Sequence, residues 1–286
     1  MKTIESTYQA HWPRGDFSFS PDGKFLAAPV SEPDVPDEFG GFALTNEIGI
    51  WECDSWEKRG SVKTQLSTVC SVKFSQNNKR MIVAGVADDR NLIQLFDIVS
   101  GKEQKIGELE FENPIVAVDL TQSKLAASTE DGQVSVWSFT RRTETNDDRQ
   151  MEFEKKFEAS IGGRLVCLDF SPDRNYLALA DHQSDNLVML NAETGETKYQ
   201  KAGPRAFCCV KFSPCGKRLA LSGYDSVVYL CNAESGYRLL TLPGSDSFPG
   251  TIAINSRVVF SSDGRKIATN TWQGRIRFWT LDSRTD

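Results

Sequence analysis

Hydrophobic and polar positions alternate through most of this chain in bursts of four to eight residues, broken by Gly, Pro, Asp and Asn. The pattern is clearest from Phe207 to Leu242. Val210 and Phe212 alternate with polar neighbours, as a half-buried strand requires. Ser213-Pro214-Cys215-Gly216 reads as a turn, with Pro setting one φ and Gly supplying a positive one. Leu219-Ala220-Leu221 is a second apolar run and Gly223-Tyr224-Asp225 a tight turn. Val227 to Cys231 forms a third strand, closed by Asn232 to Gly236, and Arg238 to Leu242 forms a fourth. The stretch predicts one antiparallel four-stranded meander in roughly 40 residues.

The unit recurs. Its first turn reappears as Phe19-Ser-Pro-Asp-Gly, Phe74-Ser-Gln-Asn-Asn, Leu120-Thr-Gln-Ser, Phe170-Ser-Pro-Asp-Arg and Phe260-Ser-Ser-Asp-Gly. The third strand reappears as Ile48-Gly-Ile-Trp51, Ile93-Gln-Leu-Phe96, Val134-Ser-Val-Trp137, Leu187-Val-Met-Leu190, Val228-Tyr-Leu-Cys231 and Ile276-Arg-Phe-Trp279. Anchors at positions 19, 74, 120, 170, 212 and 260 mark six units. Period, four strands per unit and a terminal aromatic beside Asp or Asn resemble the WD-repeat family of β-propellers. The resemblance covers nearly the whole chain and implies an all-β fold, a β-propeller of six four-stranded antiparallel blades forming a single domain over 1–286. The repeats are degenerate. No unit carries a Gly-His dipeptide, and only Phe96-Asp97 keeps the aromatic-Asp ending, so the hydrogen-bonded tetrad that the family implies is incomplete in every blade.

The last unit stops after its third strand, and residues 2–9 alternate weakly ahead of the first. We therefore expect the N-terminal segment to supply the missing strand beside Arg275–Thr280 and close the ring, since an open sheet edge invites aggregation. The Phe anchors at 19, 74, 170, 212 and 260, with Trp51, Trp137 and Trp279, are expected to be buried between sheets. Three insertions interrupt the frame, at 29–47, 140–150 and 243–255. The first carries three Pro and five acidic residues and reads as a protruding loop rather than strand. Residues 140–150 read as a charged, mobile loop.

Composition narrows the function. Hydrophobic residues at 39% suffice for a sizeable core. A net charge of −6 disfavours a broad nucleic-acid surface. There is no apolar run long enough to span a bilayer and no signal-peptide pattern, which points away from membranes and towards a cytoplasmic or nuclear location. Seven Cys without a secretion signal fit a reducing compartment. Cys70 and Cys208 occupy equivalent first-strand positions and read as small core residues.

In a propeller, the loop between second and third strands shares a face, here the upper face, with the loop leading to the next unit. Arg14, Arg164, Arg205 and Arg257 each stand a few residues ahead of a first strand, near the upper channel mouth. Arg suits bidentate pairing with carboxylate or phosphate. The resemblance implies that the residue before the turn Asp of a blade is often exposed to partners; here those positions hold His182, Tyr224 and Trp272, and Trp and Tyr often anchor interfaces. On the channel wall, the residues before the anchors form neighbours of opposite sign, Lys73 with Asp119 and Asp169 with Lys211, and read as solvated ion pairs of little energetic value. With only two His, a nucleophilic triad is disfavoured, and no phosphate-loop or dinucleotide fingerprint occurs. The expected function is a non-catalytic protein-interaction scaffold without a cofactor or bound metal, a monomer or a subunit of a hetero-complex, binding an acidic or phosphorylated segment of a protein partner. The alternative is a propeller hydrolase or lactonase with a divalent cation at the channel mouth, which three converging carboxylate or amide oxygens would favour.

Overall fold

The computed structural model describes residues 17–36, 42–98, 103–141, 150–162, 165–203, 207–223, 227–242, 255–271 and 276–281. All regular structure among them is β. It forms six antiparallel sheets, spanning 18–63, 68–111, 115–160, 165–202, 207–242 and 255–280, here called sheets 1 to 6. In each, strands that follow one another in sequence are hydrogen-bonded neighbours, as the turn signals predict. Sheets 1 to 5 have four strands; sheet 6 has three among the described residues. The chain divides into two compact units. One carries sheets 1 and 2; the other carries the greater part of sheet 3 with sheets 4, 5 and 6.

The first turn of each sheet is built around a hydroxyl. In sheet 4, Ser171 Oγ accepts the Tyr176 backbone N–H at 2.9 Å and donates to the Asp173 carboxylate. The same arrangement holds Ser20 with Asp22, Ser75 with Asn77 and Ser261 with Asp263. In sheet 5, Cys215 takes the acid's place, with its sulfur 3.4 Å from Ser213 Oγ. The fourth turn residue has φ between +57° and +74°, which explains Gly23, Gly216 and Gly264 and leaves Asn78 and Arg174 as the non-glycine cases. Ser171→Ala leaves the Tyr176 N–H without its partner. A loss of about 1–3 kcal/mol is expected in urea unfolding.

The anchors Phe74, Phe170, Phe212 and Phe260 pack on the sheet before their own. Phe74 lies against Ala27, Ile48 and Ile50 of sheet 1, and Phe170 against Ala126, Val134 and Val136 of sheet 3. Phe212 meets Leu187 and Met189 of sheet 4. Phe74, Phe170 and Phe212 are buried, and so is Trp137. Phe260 and Trp279 pack on the sheet 5 core but are only half-buried, as is Trp51. Phe19 departs from expectation. It is 52% exposed and touches Phe17 edge-on at a centroid distance of 6.3 Å. Its strand is only two residues long. Sheet 6 shows the reverse face of the same rule. Phe278 is 71% exposed, whereas its counterparts Ile50, Leu95, Val136, Met189 and Leu230 are between 0% and 6%. The expected closing strand, residues 2–9, lies outside the described residues.

The insertion at 29–47 differs from the loop expected. The second and third strands of sheet 1 run as Phe25–Pro36 and Phe42–Glu52, pairing out to Pro36 and Phe42. Register shifts between Pro29 and Ser31 and between Ser31 and Pro36 accommodate prolines that cannot donate to the ladder. Residues 142–149 and 243–254 lie outside the described residues.

Candidate interaction surface

The first strands of sheets 2, 4, 5 and 6 share an irregularity. Their registers shift between Val69 and Ser71, Leu165 and Cys167, Phe207 and Cys209, and Asn255 and Arg257. A bulge re-aims the side chains that follow it. Cys70 and Cys208 thus stand at bulges, and Cys70 is half-buried. Three residues ahead of the anchor, the bulges leave Ser71, Cys167, Cys209 and Arg257 at matching stations.

One residue ahead of the anchor, the polar row links sheets. Asp119 Oδ2 accepts the backbone N–H of Phe170 at 2.8 Å, and Asp169 Oδ2 accepts that of Phe212 at 2.7 Å. The other Asp169 oxygen receives the Lys211 ammonium. This pair is not solvated as the sequence suggests: the Lys211 and Asp169 side chains retain only 24% and 12% of their exposure. Burial, with the Asp119 charge adding to it, pushes the Asp169 carboxyl up to about 7 against the pull of Lys211. For Lys211, burial opposes the charge, yet Asp169 and then Asp119 outweigh it and hold its pKa above the ordinary lysine range. The opposite signs of Asp169 and Lys211 were legible in the sequence; the anchor N–H that each carboxylate also caps was not.

Of the predicted partner-binding residues, two are described. Arg257 is exposed and lies within the strand Asn255–Phe260 rather than ahead of it. Its carbonyl accepts the Thr269 hydroxyl at 2.6 Å, which fixes the backbone at that point. His182 is half-buried in the turn from Asp181 to Asp185. The buried Asp181 carboxylate organises that turn, accepting the Gln183 N–H at 2.9 Å and the Ser184 hydroxyl. The two stand on sheets 4 and 6, with sheet 5 between them in the chain. Arg14, Arg164, Arg205, Tyr224 and Trp272 lie outside the described residues. Among the described residues, no three His, Cys, Asp or Glu side chains come together as a metal ion would require.

A feature not foreseen lies on the opposite face, where the first-to-second and third-to-fourth strand turns of sheets 4 and 5 meet. It is a cleft of about 980 Å³, with Tyr176, Lys198, Arg218, Cys215, Leu239 and Leu240 in its wall. Lys198 bonds Glu234 at 2.7 Å and sits 4.1 Å over the Tyr176 ring. Leu239 and Leu240 are 52% and 36% exposed, and Tyr237 beside them is 66% exposed. The signal was present as two adjacent leucines that break the alternation of an outer strand.

No family model matches the chain. It is 25% identical over 249 residues to Periodic tryptophan protein 2 of Arabidopsis thaliana, covering 84% of this chain and 25% of that protein. The chain thus spans about a quarter of the length of this curated relative. Among solved structures, a chain of a Mitotic Checkpoint Complex superposes with a TM-score of 0.70 at 17% identity, over 93% of this chain and 74% of its own. The Cps50 (Swd1) β-propeller domain of Myceliophteria thermophila superposes with a TM-score of 0.68 at 13% identity, over 93% and 83%. With six sequential meanders and the recurring anchor turn, these likenesses show the fold of a six-bladed β-propeller.

Proposed function

We propose that this propeller is a protein-interaction scaffold without catalytic activity of its own, and that its upper face takes an acidic or phosphorylated segment of a protein partner. Support for the first part comes from likeness of fold to a chain solved within a Mitotic Checkpoint Complex. The observation that carries the second is Arg257, an exposed guanidinium on an innermost strand of a protein whose net charge is −6. Arg14, Arg164 and Arg205 occupy corresponding stations in the sequence and would extend that cation set. His182, Tyr224 and Trp272 would add aromatic anchoring at the rim. A charge-assisted hydrogen bond contributes about 1.5–3 kcal/mol, so two such contacts decide specificity. The expected location is cytoplasmic or nuclear. The test is a pull-down comparing wild type with Arg164→Glu/Arg205→Glu. The double variant is expected to fold, as judged by circular dichroism, and to lose the partner. Retention at wild-type affinity would move recognition off the upper face.

The cleft on the opposite face favours a second reading, in which an apolar partner segment seats on Leu239 and Leu240 beside the Lys198–Tyr176 pair. Leu239→Asp/Leu240→Asp is then the variant that loses the captured partner, while the Arg variant keeps it. Because both leucines are substantially exposed, the change is expected to leave the urea midpoint within a few tenths of a molar of wild type.

A further inference from the structure

We propose that Cys167 and Cys209 form an oxidisable dithiol, a modification site at which a hydroperoxide joins sheets 4 and 5 through a disulfide. The inference stands independently of which face recognises a partner.

The geometry is specific to this pair. Both residues sit three positions ahead of a Phe anchor, on the first strands of consecutive sheets, and each directly follows a register shift. The repeated irregularity brings their sulfurs to 3.7 Å, within hydrogen-bonding distance and about 1.7 Å beyond a covalent S–S bond. Both stand on paired strands, so the encounter is built in rather than dependent on a loop. Cys167 Sγ also lies 3.6 Å from the Val210 carbonyl, and Cys209 Sγ 4.0 Å from that of Val258, one sheet further on. Cys209 is buried, while Cys167 is half-buried and gives the pair its opening to small solutes.

The electrostatic setting suits thiolate chemistry. Lys211 and Arg257 both act on Cys209, and Asp169 and Asp119 face Lys211 from the neighbouring strands. The hydrogen bond from Cys167 comes first, and with those two cations it draws the Cys209 thiol down to about 6 against its burial. Cys167 moves the other way, held well up by the same bond and by burial. The pair therefore releases one proton more readily than the other. Thiolates, not thiols, react with peroxides.

The step balances with hydrogen peroxide as oxidant. The thiolate sulfur gives an electron pair to one peroxide oxygen, the O–O bond breaks, and the departing hydroxide is protonated to water. The resulting sulfenic acid is attacked by the second sulfur once it is deprotonated. The S–S bond forms, the S–O bond breaks, and a second hydroxide leaves and becomes water. Two thiols and one peroxide give one disulfide and two waters, with both sulfurs oxidised and both peroxide oxygens reduced.

The experiment uses the full chain, fully reduced and then exposed to a small molar excess of hydrogen peroxide. The protein is unfolded in alkylating agent and digested without reductant, and the peptides are weighed. The expected result is one joined species holding Cys167 and Cys209, and a fall from seven alkylatable thiols to five, reversed by dithiothreitol. The buried Cys231, on the third strand of sheet 5, serves as an internal control and should stay alkylatable. Cys167→Ser and Cys209→Ser should each abolish the joined peptide; if either variant fails to fold, the wild-type digest alone decides. The proposal is overturned if all seven thiols survive, if Cys53 or Cys215 is consumed while Cys167 and Cys209 stay reduced, or if either of the pair ends as sulfinic acid with no joined peptide.

Discussion

Replacing Lys211 with Met should lower the unfolding free energy by about 3–5 kcal/mol at pH 8, the cost of leaving a buried charge without its counter-ion. Asp169 would keep the Phe212 N–H but lose the ammonium, with Asp119 still nearby. The loss should shrink towards pH 5, because a protonated Asp169 needs no cation. Urea unfolding of both proteins across that range checks it, and Lys211→Met/Asp169→Leu should recover much of the difference. Wild type carries its own signature. Its Asp169 pKa is raised to about 7, so the folded chain holds a proton there that the unfolded chain has lost from about pH 4 upwards. Stability from this group is therefore present at the acid end of that window and lost as the pH rises to about 7. Asp169→Asn should flatten that slope; an unaltered slope would place its origin elsewhere.

Phe170→Ala should cost about 3–5 kcal/mol, while Phe19→Ala should cost less than about 1 kcal/mol. The two residues hold the same place in the repeat. Phe170 is 4% exposed against Val134, Val136 and Ala126, whereas Phe19 is 52% exposed. Removing Phe170 opens a cavity between two sheets; removing Phe19 strips a ring already in solvent. Thermal and urea unfolding of both variants measure the contrast. Equal losses would mean that Phe19 is covered in solution.

The strands and their order were legible because period-two alternation and Ser-Pro-Asp-Gly turns are local signals. Burial of the anchors was legible for Phe74, Phe170 and Phe212, whose partners are the sheets just before them. It failed for Phe19, because a repeat pattern says nothing about how short the strand carrying the anchor is. The 29–47 insertion misled because its prolines speak against strand, while bulges let the pairing pass around them. The candidate site was legible only as residue types. The sequence shows Asp169 and Lys211 at matching stations, but their burial depends on the Phe212 amide of the adjacent strand, 43 residues away. The Cys167–Cys209 encounter depends on two bulges, which leave no mark in the alternation. The cleft was visible only as Leu239-Leu240, a pair that a periodic reading discounts.

That Phe74, Phe170 and Phe212 each pack on the sheet before their own has a consequence for cooperativity. Neighbouring sheets share their cores, so the energetics approach those of an array with nearest-neighbour coupling. A cut just ahead of Phe170 would strip its junction with sheet 3 and leave the Phe212 junction intact. Opening should then spread from the stripped junction, one meander at a time, as falling domino tiles do. Amide exchange would report it as a gradient, fastest in the two-residue strand that carries Phe19 and slowest in the strands of sheet 4, which are flanked on both sides by Phe170 and Phe212.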